Sequence, residues 1–140
     1  MTAAREGSVT VALRTNVEAY AYAAMRIVTG FLFLFHGLQK LFGMFGGQQV
    51  AEFASQRGAA GIIELVGGTL VMIGLLTSPV AFLCSGQMAF AYFLAHYPRS
   101  VWPIMNGGEL AALYCFVFLY ISAKGAGPLS LDRVWRGRKI

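Results

Sequence analysis

The sequence predicts an all-α membrane protein, with four transmembrane helices in an antiparallel bundle and both termini cytoplasmic. Three observations carry this. The chain of 140 residues is 57% hydrophobic and only 12% charged, about half the charged share of a soluble domain and too little to cover a water-facing surface. Four apolar runs, at about residues 20–41, 61–76, 80–95 and 109–122, approach the roughly 17 to 20 residues that a helix needs to cross hydrocarbon. Helix is the form such runs must take, because an open strand edge in lipid would leave backbone groups unpaired. Finally, Arg5, Arg14, Lys124, Arg133, Arg136, Arg138 and Lys139 fall on the side shared by the termini, against Lys40, Arg57 and Arg99 on the other. That asymmetry sets the orientation.

A single membrane domain therefore covers residues 1–140, with residues 1–18 as an N-terminal cytoplasmic segment and 123–140 as a basic cytoplasmic tail. The first run is expected to stay in the mature protein, since it is too long for a signal peptide and continues into "HGLQKLFG" instead of a small-residue cleavage site. Spans two and three form a tight hairpin around Thr77-Ser78-Pro79, with Ser78 as the expected cap and Pro79 in the first turn, where a missing N–H costs nothing. "HYPRSVWP" breaks the chain after span three and offers aromatic residues to the headgroup layer. The glycine- and glutamine-rich loop 44–58 carries no clear pattern. The basic ends suit anionic headgroups better than nucleic acid, given the apolar runs between them. Cys84 and Cys115 sit in separate runs without CxxC spacing and are expected to be small core residues.

Helical spacing places the polar residues. Arg26, Thr29, Phe33, His36 and Lys40 recur at steps of three and four, flanked by Gly30 and Gly37, so this stripe of span one faces protein. Gly61, Glu64, Gly68 and Met72 form the matching stripe of span two, where Gly67 and Gly68 mark close helix contact. Ser85, Ala89, Tyr92, His96 and Arg99 continue the pattern on span three, and Asn106, Glu109, Leu113, Phe116 and Tyr120 on span four. With cytoplasmic termini, His36, Lys40, Glu64, His96, Arg99, Asn106 and Glu109 converge at the outer face. Arg26 lies about 21 Å from Lys40 along the axis and belongs to the opposite half.

Each polar residue has a structural reading beside the functional one. Gly61 with Glu64, and Asn106 with Glu109, resemble an N-cap followed by Glu three residues on. His96 and Arg99 suit an interface, and Lys40 and Arg26 can snorkel. His36, one turn inside Lys40 on a phenylalanine-rich helix, is the strongest functional candidate, with Glu64 its natural partner. A metal centre is not expected, because the paired Glu-x-x-His ligands of di-iron bundles are absent. The pattern of His then base, loop, and helix with early Glu occurs twice; it is open whether this is a true duplication.

"MRIVTGFLFLFHGLQKLFG", "ELVGGTLVMIGLLTSPVA" and "NGGELAALYCFVFLYISAKGAGPLSLD" resemble the DoxX family of small four-helix membrane proteins over about residues 19–132. The resemblance rests on Arg26, Gly30, His36-Gly37, Lys40-Leu41, Gly43, Glu64, Gly67-Gly68, Gly74-Leu75, Thr77 and the closing 127–132 segment. It implies a multi-pass protein of the inner (plasma) membrane that works with redox partners, as relatives include subunits of quinone-linked and membrane-associated oxidoreductases. The chain has no flavin or dinucleotide fingerprint and no cysteine pair, so it is expected to carry no redox reaction alone. Quinone is the expected ligand, with no covalent cofactor: an apolar slot with a few donors and a proton route suits its ring, and His36, Lys40, Glu64, Tyr92, His96 and Glu109 are the candidate contacts. Arg26, Gly37, Gly67 and Gly68 are expected to be structural. The partners are lipid and either a redox-enzyme subunit or further copies of the chain. A non-catalytic assembly or stress-response role is the alternative.

Overall fold

The computed structural model describes residues 2–137, with side chains from residue 13 onward; Arg138, Lys139 and the Arg5 side chain lie outside the described residues. The elements are α1 Thr2–Phe42, α2 Gln56–Ile73, α3 Thr77–Ala91, α4 Pro103–Asn106, α5 Glu109–Lys124 and α6 Leu131–Trp135, with no strand among the described residues. The segment expected before residue 19 is helical from Thr2, which makes α1 41 residues long, about 60 Å. α2 starts five residues earlier than the apolar run because Ser55 caps it, its Oγ accepting the Gly58 N–H at 3.1 Å. Gly61 and Glu64 are therefore mid-helix, and the capping reading of Glu64 falls.

α1 and α2 pack antiparallel along a glycine seam. A Cβ on Gly68 would lie 2.7 Å from the Leu34 nitrogen, one on Gly30 would lie 2.5 Å from the Met72 nitrogen, and one on Gly37 2.5 Å from the Leu65 nitrogen. Backbone meets backbone there, so only glycine fits. Gly67 faces α3 instead, and a Cβ on it would meet the Cys84 sulfur. Gly68→Leu should therefore cost about 3 kcal/mol or more, since backbone cannot yield as a side chain can. Val66→Leu, at an exposed position of the same helix, is the control, and equal melting temperatures in detergent would contradict the seam.

α5 packs on α3, and Phe33 of α1 reaches into that pair, its ring centroid 4.6 Å from Phe118 and 5.3 Å from Tyr114. The inward face of α5 is not the one that its polar spacing suggests. Glu109, Leu113, Phe116 and Tyr120 are exposed, while Ala111, Tyr114, Phe118 and Ile121 are buried. α5 is apolar almost all round, so its pattern has no polar side against which to locate the inward face.

A latch closes the end of the bundle away from Lys40. Arg26, fully buried, donates from one terminal nitrogen to the carbonyls of Val71 at 2.6 Å and Met72 at 2.8 Å, and from the other to Leu129 at 2.7 Å and Pro128 at 3.3 Å. The guanidinium thus joins α1, the carbonyls at the end of α2 and the segment after α5. Asp132 completes the latch, accepting the Leu76 N–H at 2.8 Å and the Thr77 N–H at 2.9 Å. These are the first amides of α3, so its cap comes from 55 residues away and not from Ser78.

Partial burial opposes ionisation of Asp132, but the backbone donors of Thr77 and Leu76, together with the nearby charge of Arg136, outweigh it and hold the carboxyl below its usual value. A depressed folded value contributes stability above the unfolded-chain value of 3.8, lost as pH falls through the folded one. Asp132→Asn should remove this acid-side dependence, read as the melting temperature below about pH 4; an unchanged slope would mean that Asp132 contributes none of it.

The outer surface is inverted relative to a soluble protein. Val28, Phe31, Leu32, Phe82, Phe90, Phe93, Leu113 and Phe116 are all exposed, an apolar belt of the kind that marks a lipid-facing surface. Two helical stretches, Leu13–Phe42 and Thr77–Arg99, are long and apolar enough to cross a membrane. α2 and α5, at 18 and 16 residues, fall short of that combined measure of length and hydropathy.

Candidate functional site

At the end of the bundle opposite the latch, four helices leave a cavity of about 880 Å³. α1 contributes Phe33, His36 and Lys40, and the first half of α2 contributes Arg57, Ile63 and Glu64. α3 and the turns after it supply Gln87, Met88, Phe90, Leu94, His96 and Arg99, and the start of α5 supplies Leu110, Ala111 and Tyr114. His96 reaches this wall because α3 does not end as an α-helix. Residues Tyr92–His96 form a π turn, whose extra residue rotates the positions after it, and such turns recur at functional sites. The His96 ring is then tied down through Nδ1, which lies 3.1 Å from the Asn106 backbone carbonyl.

Glu64 is the centre of the polar end. It is 1% exposed, and its Oε1 accepts from Lys40 Nζ in an ion pair and from Gln87 Nε2 at 3.2 Å. Its Oε2 and the Gln87 Oε1 are both buried without a hydrogen-bond partner. A buried carboxylate is retained at a cost unless its lone pairs are filled, so among the described residues Glu64 is held by Lys40 and Gln87 alone. His36 lines the same cavity but does not bond to Glu64. Its ring stands edge-on to Tyr114, with centroids 6.1 Å apart. The expected His36–Glu64 pair is replaced by Lys40–Glu64, because the 24-residue separation in sequence closes across the seam at Gly61, which lies against the Lys40 and Leu41 side chains.

Of the other candidates, His96 lines the cavity and Tyr92 and Glu109 do not. The Tyr92 ring lies beside His96 at 6.4 Å and covers Gly108. Glu109 is exposed at the first position of α5, where its charge favours the helix N-terminus, and no capping box forms. The helix begins after Gly108, and Asn106, 2% exposed, spends its side chain on the loop: Oδ1 accepts the Gly108 N–H at 2.7 Å and Nδ2 donates to the Ser100 carbonyl at 2.8 Å. Gln87, Arg57 and Tyr114 are cavity residues that spacing did not single out. Gln87 had a usable signal, as an amide amid "CSGQMAF"; Arg57 lay in a loop without pattern and Tyr114 on the face misassigned for α5. Among the described residues no three His, Cys, Asp or Glu side chains come together as a metal-ligand set.

Fold and site together define an all-helical membrane protein with an amphiphilic cavity, apolar along its length and charged at one end. The chain belongs to the DoxX family, whose model matches residues 21–97. It is 42% identical over 127 residues to a Haemophilus influenzae protein described as "Uncharacterized protein", covering 84% of this chain and 94% of that one. It is also 32% identical over 122 residues to the "Putative oxidoreductase CatD" of Bacillus subtilis, covering 82% of this chain and 87% of that one. No solved structure matches it significantly.

Proposed function

We propose that this protein is a quinone-binding subunit of a membrane-associated oxidoreductase, not catalytic alone. It crosses the inner membrane four times, with α1, α2, α3 and α5 as spans, both termini in the cytoplasm and the cavity toward the outer face. The observation that supports the ligand best is the composition of the cavity. Phe33, Met88, Phe90, Leu94 and Leu110 give an apolar slot, while Lys40, Glu64, Gln87 and His96 gather polar atoms at its end. A quinone would bring carriage of two electrons and two protons between partners. The residues present would line its ring with Phe33, Met88 and Leu110, donate from Lys40 or His96 to a carbonyl, and hold a proton at the Glu64 carboxylate. A relative named as an oxidoreductase favours redox work over an assembly or stress-response role.

Protein purified in mild detergent from native membranes should carry quinone, identified by mass spectrometry with the associated subunits. His36→Leu and Glu64→Gln should lose most of it, while exposed Glu109→Gln retains it; quinone equal in all three, or absent from the wild type, would end this reading. In the same cells, cysteines placed at Ser8 and Arg138 should resist an impermeant thiol reagent and one at Gln48 should react. The reverse pattern would move the cavity to the cytoplasmic side.

A further inference from the structure

A second pocket lies at the latch end, away from the quinone slot. It measures about 530 Å³ and is walled by Lys124 from the end of α5, by the Gly125–Pro128 turn, and by Asp132, Arg133 and Arg136 of α6 and its end. Among the described residues Lys124 and Arg136 stand with Asp132 in its wall, and that carboxylate already accepts the Leu76 and Thr77 N–H groups. Lys124 and Arg136 thus outnumber the carboxylate there, whose oxygens are already engaged.

Three of the turn's four carbonyls are already engaged. The Gly125 carbonyl accepts from the Tyr22 hydroxyl, the Gly127 carbonyl from Ser130 Oγ at 2.8 Å, and the Pro128 carbonyl from Arg26 at 3.3 Å. The N–H groups of Ala126 and Gly127 have no partner among the described residues. Gly127 is left-handed, at φ 66°, and successive free amides around such a residue form a concave anion cradle. Lys124 is held at the rim over the rings of Tyr22 and Tyr120, 5.4 and 5.9 Å from their centroids.

We propose that this pocket binds the phosphate of an anionic phospholipid. Its position at one end of the lipid-facing belt supports a lipid over a soluble phosphate, as does its neighbour α6. Beside Arg133 and Arg136, α6 exposes Val134 and Trp135 by 76% and 79%, a valine and tryptophan pair suited to the headgroup and upper acyl layer. One ligand thus meets both chemistries, phosphate in the pocket and acyl chain against the exposed apolar side chains. The site is independent of the quinone reading and uses only the placement of the bundle in a membrane.

The test is native mass spectrometry of the full chain in mixed micelles containing equal amounts of phosphatidylglycerol and phosphatidylcholine. The wild type should retain phosphatidylglycerol preferentially. Lys124→Gln, Arg133→Gln and Arg136→Gln should each lower that retention about fivefold, the effect of one basic residue near an anionic lipid. Arg14→Gln, which removes an exposed charge on α1 outside the pocket, should leave it unchanged, and Lys124→Arg should preserve it. Equal retention of the two lipids overturns the proposal, as does an Arg14→Gln loss equal to the pocket variants, which would mean diffuse attraction. Displacement of the lipid by millimolar inorganic phosphate would overturn the lipid assignment in favour of a soluble anion.

Discussion

Arg26→Met should be the most damaging single substitution at the latch. The methionine fills similar space but donates nothing, and it leaves the carbonyls of Met72, Pro128 and Leu129 without the partner they have in the folded protein. Hydrogen bonds from a charged donor contribute about 1.5 to 3 kcal/mol each, though not additively, so a total loss of about 3 to 5 kcal/mol is expected. In a domain of this size that lowers the melting temperature by roughly 10 °C or more. Arg26→Lys should recover only part of it, because one ammonium cannot reproduce a fork reaching two pairs of carbonyls. The check is thermal unfolding in a single detergent; a methionine variant that melts with the wild type would mean the latch is held by packing alone.

Lys40 and Glu64 carry the second large effect. Removing either partner strands the other, and the asymmetry in burial makes the two losses unequal. The Lys40 side chain is 26% exposed and Glu64 1%, so a lone lysine can snorkel to water while a lone carboxylate has only Gln87. Lys40→Met should therefore cost more, about 3 to 5 kcal/mol, than Glu64→Leu, and the double variant should be milder than Lys40→Met alone. Coupling of about 0.5 to 3 kcal/mol is expected in the cycle. Because His36 does not bond to Glu64, the corresponding His36 cycle should be closer to additive. Strict additivity for Lys40 and Glu64, measured as melting temperature in one detergent, would mean that the two charges do not stabilise each other.

The parts legible from sequence are those written in local spacing. The stripe from Arg26 to Lys40 and the glycines of α2 repeat at helical intervals within one run, so the α1–α2 seam and the clustering of His36, Lys40, Glu64 and His96 arise from period and chain direction. Two kinds of information were not local. The inward face of α5 depends on Tyr114 and Phe118 meeting Phe33, and nothing in an all-apolar helix distinguishes those from Leu113 and Phe116. The partner of Lys40 depends on the depth at which α2 crosses α1, and the π turn at Tyr92–His96 shifts the last residues of α3 off the regular stripe. Glu109 illustrates the same limit: one turn of a boundary decides whether an acid lines a cavity or faces outward.

The Asp132 cap bears on how the protein is made. The chain emerges from the ribosome N-terminus first, so the turn between α2 and α3 is synthesised well before the carboxylate that receives the Leu76 and Thr77 amides, and the Arg26 guanidinium waits as long for the carbonyls of Pro128 and Leu129. The helices can form one after another, but the latch locks only when the 128–132 segment folds back over α1 and the start of α3. Closure follows the synthesis of α1, α2, α3 and α5, and it requires that each of them has been laid down.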